Sequence, residues 1–211
     1  MSIVVEHDKR RKEILEKALD VFVAEGFEDA TFQKIADRCG ITRTTLYIYF
    51  RNKKEIFNYS IKQLLADVEK DLYVVRRDKK LNCTEKLIKV LATIIDRLEE
   101  NRRLLSVVLN YLLYLSKSES DPDNRVRRRT IRLRHILATM VIEGIRAGEI
   151  VPLNVRAADD LLYGLIEAAI FRLVVLRRSS VAELKHSAEL AVRRLQTNPA
   201  AAAVSPELSP A

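Results

Sequence analysis

A chain of 211 residues with 37 Lys+Arg against 29 Asp+Glu carries a formal charge of +8, and 48% of it is apolar against 31% charged. That balance describes a folded protein and excludes a disordered one, while the basic surplus points to an acidic partner, most often nucleic acid. Five Gly and five Pro leave little material for hairpins or glycine-rich phosphate loops. Abundant Leu, Ile, Ala, Lys, Arg and Glu predict an all-α fold instead.

Cys39 and Cys83 cannot staple a fold of this size and read as core fillers in a reducing, cytoplasmic setting. His7, His135 and His186 are scattered and no Cys-x-x-Cys pair exists, so neither a metal nor a cofactor is expected. Ser2-Ile3-Val4-Val5 is too short an apolar run for a secretory signal. Residues 161–176 are interrupted by Glu167 and Arg172 and fall short of the roughly 20 apolar residues of a membrane span. No membrane association is expected. Enzymes have no foothold either: there is no Gly-x-Ser-x-Gly elbow, phosphate loop or Cys/His/carboxylate cluster, hence no catalytic residue.

Apolar residues recur at helical spacing along nearly the whole chain. The first helix is predicted over residues 8–24, with Ile14, Leu15, Ala18, Leu19, Phe22 and Val23 inward and Gly26 as a left-handed C-cap. Thr31 caps a short second helix that carries Ile35 and Ala36 and stops at Gly40. Thr42 caps a third, running to about Phe50. Asn52 then caps a long fourth helix whose buried stripe is Ile56, Phe57, Ile61, Leu64, Leu65, Val68 and Leu72. The charged stretch Arg76 to Lys80 reads as a loop and module border.

Beyond it, Asn82 and Glu85 have capping-box spacing ahead of Leu87, Leu91, Ile94, Ile95 and Leu98. Further helices are predicted over residues 102–116, 124–147 and 155–177, with a last one beginning at Ser179 or Ser180 and ending near Leu195. Ser118 to Pro122 reads as a turn-rich loop. After Thr197 the composition is Ala, Pro and Ser without periodicity, as in a disordered tail.

The informative stretch is Thr31 to Phe50: a helix, a three-residue turn and a short helix. Ala36 lets two helices cross closely, Gly40 can take the positive φ of a tight turn, and Ile41 and Leu46 lock the pair. This is a helix-turn-helix, whose second helix enters the DNA major groove. At 100° per residue, Thr42, Leu46, Tyr49 and Phe50 fall within about 100° of one another and face the core. Arg43, Thr44, Tyr47, Ile48 and Arg51 fall within about 140° on the other side. That outer side is a poor solvated surface and a good groove reader. Arg43 can pair with guanine, Ile48 or Thr44 can meet a thymine methyl, and the Tyr47 hydroxyl can reach a phosphate. Thr31, Lys53 and Lys54 sit at helix N-termini, where a phosphate backbone would be clamped.

Residues 8–57 resemble the DNA-binding domain of the TetR family of transcription regulators. The likeness rests on Phe22-Val23-Ala24-Glu25-Gly26-Phe27, Thr31, Ile35-Ala36, Gly40-Ile41-Thr42, Leu46-Tyr47, Tyr49-Phe50, and Lys53 before Glu55. The resemblance implies phosphate contacts by Thr31, Tyr47 and Lys53, and operator-dependent contacts by Arg43, Thr44 and Ile48. Thr44 stands where Gly or Ala is common in the family, and Ile48 where Tyr is frequent; both departures bear on which bases are read. Residues 1–62 hold 12 Lys+Arg against 10 Asp+Glu, a net of only +2, so binding depends on where the charges sit and on pairing two heads.

The resemblance extends in outline to a helical effector domain and a closing helix pair. The expected plan is a helix-turn-helix head over 1–52, a connecting helix and linker over 53–80, a ligand-binding and dimerisation domain over 81–196, and a tail over 197–211. Val181, Leu184, Ala188, Ala191 and Leu195 form a seam suited to a partner helix, with Leu165 and Ala169 from the helix before it. A homodimer so formed would read a palindromic operator. Polar groups within apolar helices are the candidates for an inducer pocket: Asn110, Tyr111, Tyr114, His135, Thr139, Tyr163, Glu167 and Arg172. The run Arg125, Arg127, Arg128, Arg129, Arg132 and Arg134 is either a solvated basic side or a site for the anionic head of an amphiphile such as an acyl-coenzyme A. The expected function is a ligand-responsive regulator, most often a repressor released by a small molecule. The competing class is an architectural DNA-binding protein without an effector.

Overall fold

The computed structural model describes residues 2–117 and 124–197. Among them the chain forms α1 (Ser2–Asp29), α2 (Phe32–Cys39), α3 (Arg43–Tyr49), α4 (Lys53–Arg77), α5 (Cys83–Glu100), α6 (Arg102–Lys117), α7 (Asn124–Arg146), α8 (Val155–Val174) and α9 (Ala182–Arg194), with no strand. The fold is all-α. The turn-rich stretch 118–122 and the tail beyond Thr197 lie outside the described residues.

Two compact units emerge: residues 1–70 with 100–124, and residues 71–99 with 125–211. The sequence places 81–196 together. Instead α6 joins the first unit, because Leu104 and Val107 are buried in the same core as Ile14, Phe22, Leu46 and Phe57. Phe27 and Phe57 both meet the Tyr111 ring, at 4.5 and 5.3 Å between centroids. Each buried aromatic of this cluster contributes about 1.5–3 kcal/mol by leaving water. The border also moves, since α4 continues through the charged residues Arg76 and Arg77.

Local chemistry sets the ends of the first three helices. Gly40 takes the left-handed conformation (φ 67, ψ 31), its N–H bonds Asp37, and Ile41 N–H reaches back to Ala36 at 3.1 Å. These two bonds close α2 in a Schellman motif. Gly26 behaves differently. With φ 81 and ψ 167 it kinks α1, and the helix resumes to Asp29 instead of ending. The kink turns Phe27 into the core against Phe22 and Phe57, a stabilisation that the residue's own propensity does not encode.

In the second unit, α5 opens on the expected reciprocal cap: Glu85 N–H donates to Asn82 Oδ1 at 2.8 Å and Asn82 N–H to Glu85 Oε2 at 2.9 Å. Of its apolar stripe Leu87, Leu91 and Ile95 are fully buried, while Leu98 is half-buried. Asn154 caps α8 by accepting from Arg156 and Ala157 N–H. The start of α9 departs from expectation. Val181 occupies the cap position, and its N–H donates to the Glu99 carboxylate at 3.0 Å while Ser180 Oγ accepts from Ala182 N–H. A carboxylate from α5 and the local Ser180 hydroxyl thus share the start of α9.

Candidate nucleic-acid interface

Thr31 Oγ1 accepts from Lys34 N–H at 3.2 Å and Thr42 Oγ1 from Thr45 N–H at 3.0 Å, so the two threonines start α2 and α3. Capping consumes one acceptor site on each hydroxyl and leaves the Thr31 O–H proton available. Thr42 also pairs with the Thr45 hydroxyl at 2.8 Å. Leu46 is fully buried and Phe50 nearly so, which fixes the roll of α3 about its axis. Its other side is open: Ile48 is 69% exposed, Tyr47 49%, and Arg43 and Thr44 are exposed beside them. The structure therefore brings Arg43, Thr44, Tyr47 and Ile48 onto one outward surface.

Tyr47 is not a loose side chain. Arg43 Nη2 donates to its hydroxyl at 3.1 Å, and the Phe32 ring lies 4.8 Å away at 42°. At the end of the same helix Arg11 lies over both Phe50 and Tyr59, 4.8 and 4.4 Å from their centroids. Neither Phe32 nor Arg11 stands out in the sequence, because each acts across a helix–helix junction.

The lysines at the start of α4 divide. Asn52 Oδ1 accepts from Glu55 N–H at 2.9 Å and sets the helix start. Lys53 turns inward, donating to the Phe27 and Glu28 carbonyls at 2.8 and 2.6 Å. An ammonium at those α1 carbonyls satisfies the negative end of that helix and leaves one N–H donor. Lys54 is the exposed cation of the pair. Asp20 joins the head together, accepting from Arg103 on α6 at 2.7 Å and Arg38 on α2 at 3.0 Å. Hydrogen bonds from Arg103 and then Arg38 hold its carboxyl below the usual carboxylate range.

The residues expected to line an inducer pocket are dispersed. Asn110, Tyr111 and Tyr114 belong to the first unit, where Tyr111 is a core aromatic while Asn110 and Tyr114 are exposed. In the second unit His135 and Glu167 are exposed, and the Thr139 hydroxyl donates to the His135 carbonyl at 2.7 Å. Arg172 is half-buried. The side chains of Arg125, Arg127, Arg128 and Arg129 lie outside the described residues, whereas Arg132 is exposed on α7. Arg134 is not part of a free basic side. It donates to Asp159 Oδ2 at 2.8 Å, bonds Asp160 and lies 5.3 Å from the Tyr163 ring centre, and these carboxylates raise its pKa further. Asp159 is only 5% exposed, and its other oxygen has no partner among the described residues.

The seam expected to meet a partner is turned inward. Ala169, Val181, Leu184 and Ala188 are all buried within the single chain, with Leu165, Ala191 and Leu195 half-buried. They face inward because α8 and α9 pack on each other, with the start of α9 also bonded to Glu99 and Asp96 of α5. A different apolar strip is left outside: Leu161, Phe171, Val175 and, on α9, Leu190 are each more than half exposed. With Leu165 and Ala168, the α8 members fall within about 120° of one another on the helix.

Both thiols are held protonated, Cys39 by burial and Cys83 by burial and the neighbouring Glu149 carboxylate. Among the described residues no three His, Cys, Asp or Glu side chains form a metal-binding group, and no helix is long and apolar enough to cross a membrane.

Residues 14–59 match the family of bacterial regulatory proteins of the tetR type. Over 163 residues, 75% of this chain and 80% of the relative, the sequence is 27% identical to the fatty acid metabolism regulator protein of Bacillus subtilis. The head alone is 43% identical over 51 residues to the HTH-type transcriptional regulator SrpR of Pseudomonas putida, 24% of each protein. Among solved structures, a TetR transcription regulator from Haloarcula marismortui superposes with a TM-score of 0.73 at 19% identity, covering 90% of this chain and all of that one. The transcriptional regulator FadR from Bacillus subtilis, in complex with stearoyl-CoA, does so with a TM-score of 0.64 at 25% identity, covering 86% and 96%.

Proposed function

Because the chain belongs to the TetR family of DNA-binding transcription regulators, we propose that it is a cytoplasmic repressor that binds a palindromic operator as a homodimer and is released by a small-molecule inducer. The observation that carries this reading is the outer side of α3. Four side chains able to meet base edges or phosphates stand exposed there while Leu46 and Phe50 anchor the helix from behind. Arg43, Thr44 and Ile48 are assigned to base edges. Thr31, Thr42, Tyr47, Lys54 and the remaining N–H of Lys53 are assigned to phosphates, which position the head without reading sequence.

A second copy of the chain is assigned to the strip of Leu161, Leu165, Phe171, Val175 and Leu190. Two large apolar faces on one helix are the mark of a helix covered twice, once by its own unit and once by a partner. Two heads related by a two-fold axis then read two half-sites. The inducer class is assigned by likeness to relatives matched over most of their length: a long-chain acyl-coenzyme A, its anionic head toward Arg132 of α7. Its action is a coupling free energy, in which the ligand favours a form of the dimer with lower DNA affinity.

Footprinting over the DNA upstream of the protein's own gene tests the reading. A protected palindrome, lost on adding stearoyl-coenzyme A, is expected. Equal affinity for this and random DNA across salt would turn the protein into an architectural DNA binder. Phe171→Ser should shift light scattering from dimer toward monomer without lowering helix content. A dimer that persists at low micromolar concentration would remove α8 from the interface.

A further inference from the structure

Three side chains on the exposed side of the helix-turn-helix form a chain of contacts from α2 to α3. The Phe32 ring, partly buried against the head core, stacks on Tyr47 at 4.8 Å. Tyr47 in turn accepts a hydrogen bond from Arg43 Nη2 at 3.1 Å, and the guanidinium carbon lies 5.6 Å from the tyrosine ring centre. We propose that Phe32 is a positioning residue for DNA reading: it fixes Tyr47, Tyr47 fixes Arg43, and this relay sets how sharply Arg43 distinguishes one base pair. The proposal rests on the regulator reading above and deepens it.

Tyr47 is half exposed, so without Phe32 its ring is free to change rotamer and carry its hydroxyl away from Arg43. An arginine held beforehand loses less rotamer freedom when it docks, and its planar fork then meets a base edge in one orientation instead of several. The bond to Tyr47 occupies one N–H of the guanidinium and leaves the others for a base. Because the tyrosine oxygen accepts from Arg43, its own O–H proton remains to donate to a phosphate. One hydroxyl therefore connects backbone docking to base choice. Phe32 itself needs no contact with DNA.

The experiment selects a preferred operator from a random DNA pool with the wild-type protein. Affinities are then measured for every single-base-pair change in one half-site. A bidentate arginine supplies discrimination of roughly 5- to 150-fold at the pair it reads. Phe32→Leu, which keeps the apolar volume and loses the flat ring, is expected to reduce that ratio at least about three-fold at the same pair where Arg43→Ala abolishes it. Phe32→Tyr, which keeps the ring, is expected to restore it. Combining Phe32→Leu with Arg43→Ala should cost no further discrimination there, since the relay has one output. Tyr47→Phe removes only the hydroxyl and should relax the same base pair while also weakening all sites. Should Phe32→Leu melt early, this variant carries the test alone. A Phe32→Leu protein that weakens every site by one factor, or a Tyr47→Phe protein whose ranking of sites is unchanged, overturns the proposal. If the wild type enriches no sequence at all, the regulator reading falls, and the proposal falls with it.

Discussion

The two compact units present opposite relations between apolar surface and purpose. In the first, one core gathers residues from α1 to α4 and α6, and what remains outside on α3 is chemically mixed: a guanidinium, a phenol, a hydroxyl and an aliphatic group. In the second, α8 has apolar residues on two sides, one packed inward and one left as large exposed hydrophobic groups. A mixed exposed surface suits a polar, patterned partner such as a DNA groove, whereas an apolar strip suits a flat helical face. The sequence likeness divides the same way: 43% identity to SrpR is confined to 51 residues, while the match over 163 residues to the fatty acid metabolism regulator falls to 27%.

The largest effects should come from the cores. Phe57→Ala, at a side chain 1% exposed and in contact with three aromatic rings, should destabilise the first unit by about 3–5 kcal/mol and abolish operator binding. Leu184→Ala should cost the second unit about 2–5 kcal/mol, although the spacing of Leu184 suits a partner interface. Urea unfolding of the two variants checks both, and a Leu184→Ala protein as stable as wild type would return that residue to the dimer seam.

Smaller changes sharpen the account of the head. Arg43→Ala should cost about 1–3 kcal/mol at one operator position and leave discrimination elsewhere intact, measured by titrating single-base variants. An unchanged ranking would remove Arg43 from base reading. Gly40→Ala places a Cβ at φ 67, where left-handed backbone favours glycine, and should lower stability by about 1 kcal/mol in thermal unfolding. No neighbouring atom would meet that Cβ, so the loss reports backbone strain alone.

The smallest expected effect concerns Asp20. Its carboxyl titrates below the ordinary value in the folded protein, so the pairing with Arg103 and Arg38 stabilises above the unfolded pKa of about 3.9 and is lost as pH falls through the folded one. Asp20→Asn should cost up to about 1 kcal/mol at pH 7, a modest figure because both arginines are exposed to solvent. The gap from wild type should close in acid. A gap that persists at pH 2 would assign the loss to packing instead of charge.

Features that depend on residues within a turn of one another were legible in the linear chain. The caps at Thr31, Thr42, Asn52 and Asn82, the turn at Gly40 and the outward set on α3 all follow from i to i+4 relations and hold in the structure. Where a residue had two local options, the chain alone did not decide. Lys53 could face solvent or α1, and the Phe27 and Glu28 carbonyls claimed it. Tyr111 could line a pocket or fill a core, and two phenylalanines far away in sequence placed it in the core. Phe32 carried no signal at all, since its partner lies across the turn on the next helix.

By itself, then, the order of residues determined nine helices among the described residues, a helix-turn-helix and the side of α3 that stands exposed. Tertiary structure decided which apolar face of α8 and α9 is buried and which stays exposed, where α6 belongs, and which polar groups are already spent on one another. The reason is physical: helical periodicity states that a face is apolar, but only the packing of elements distant in sequence states what covers it.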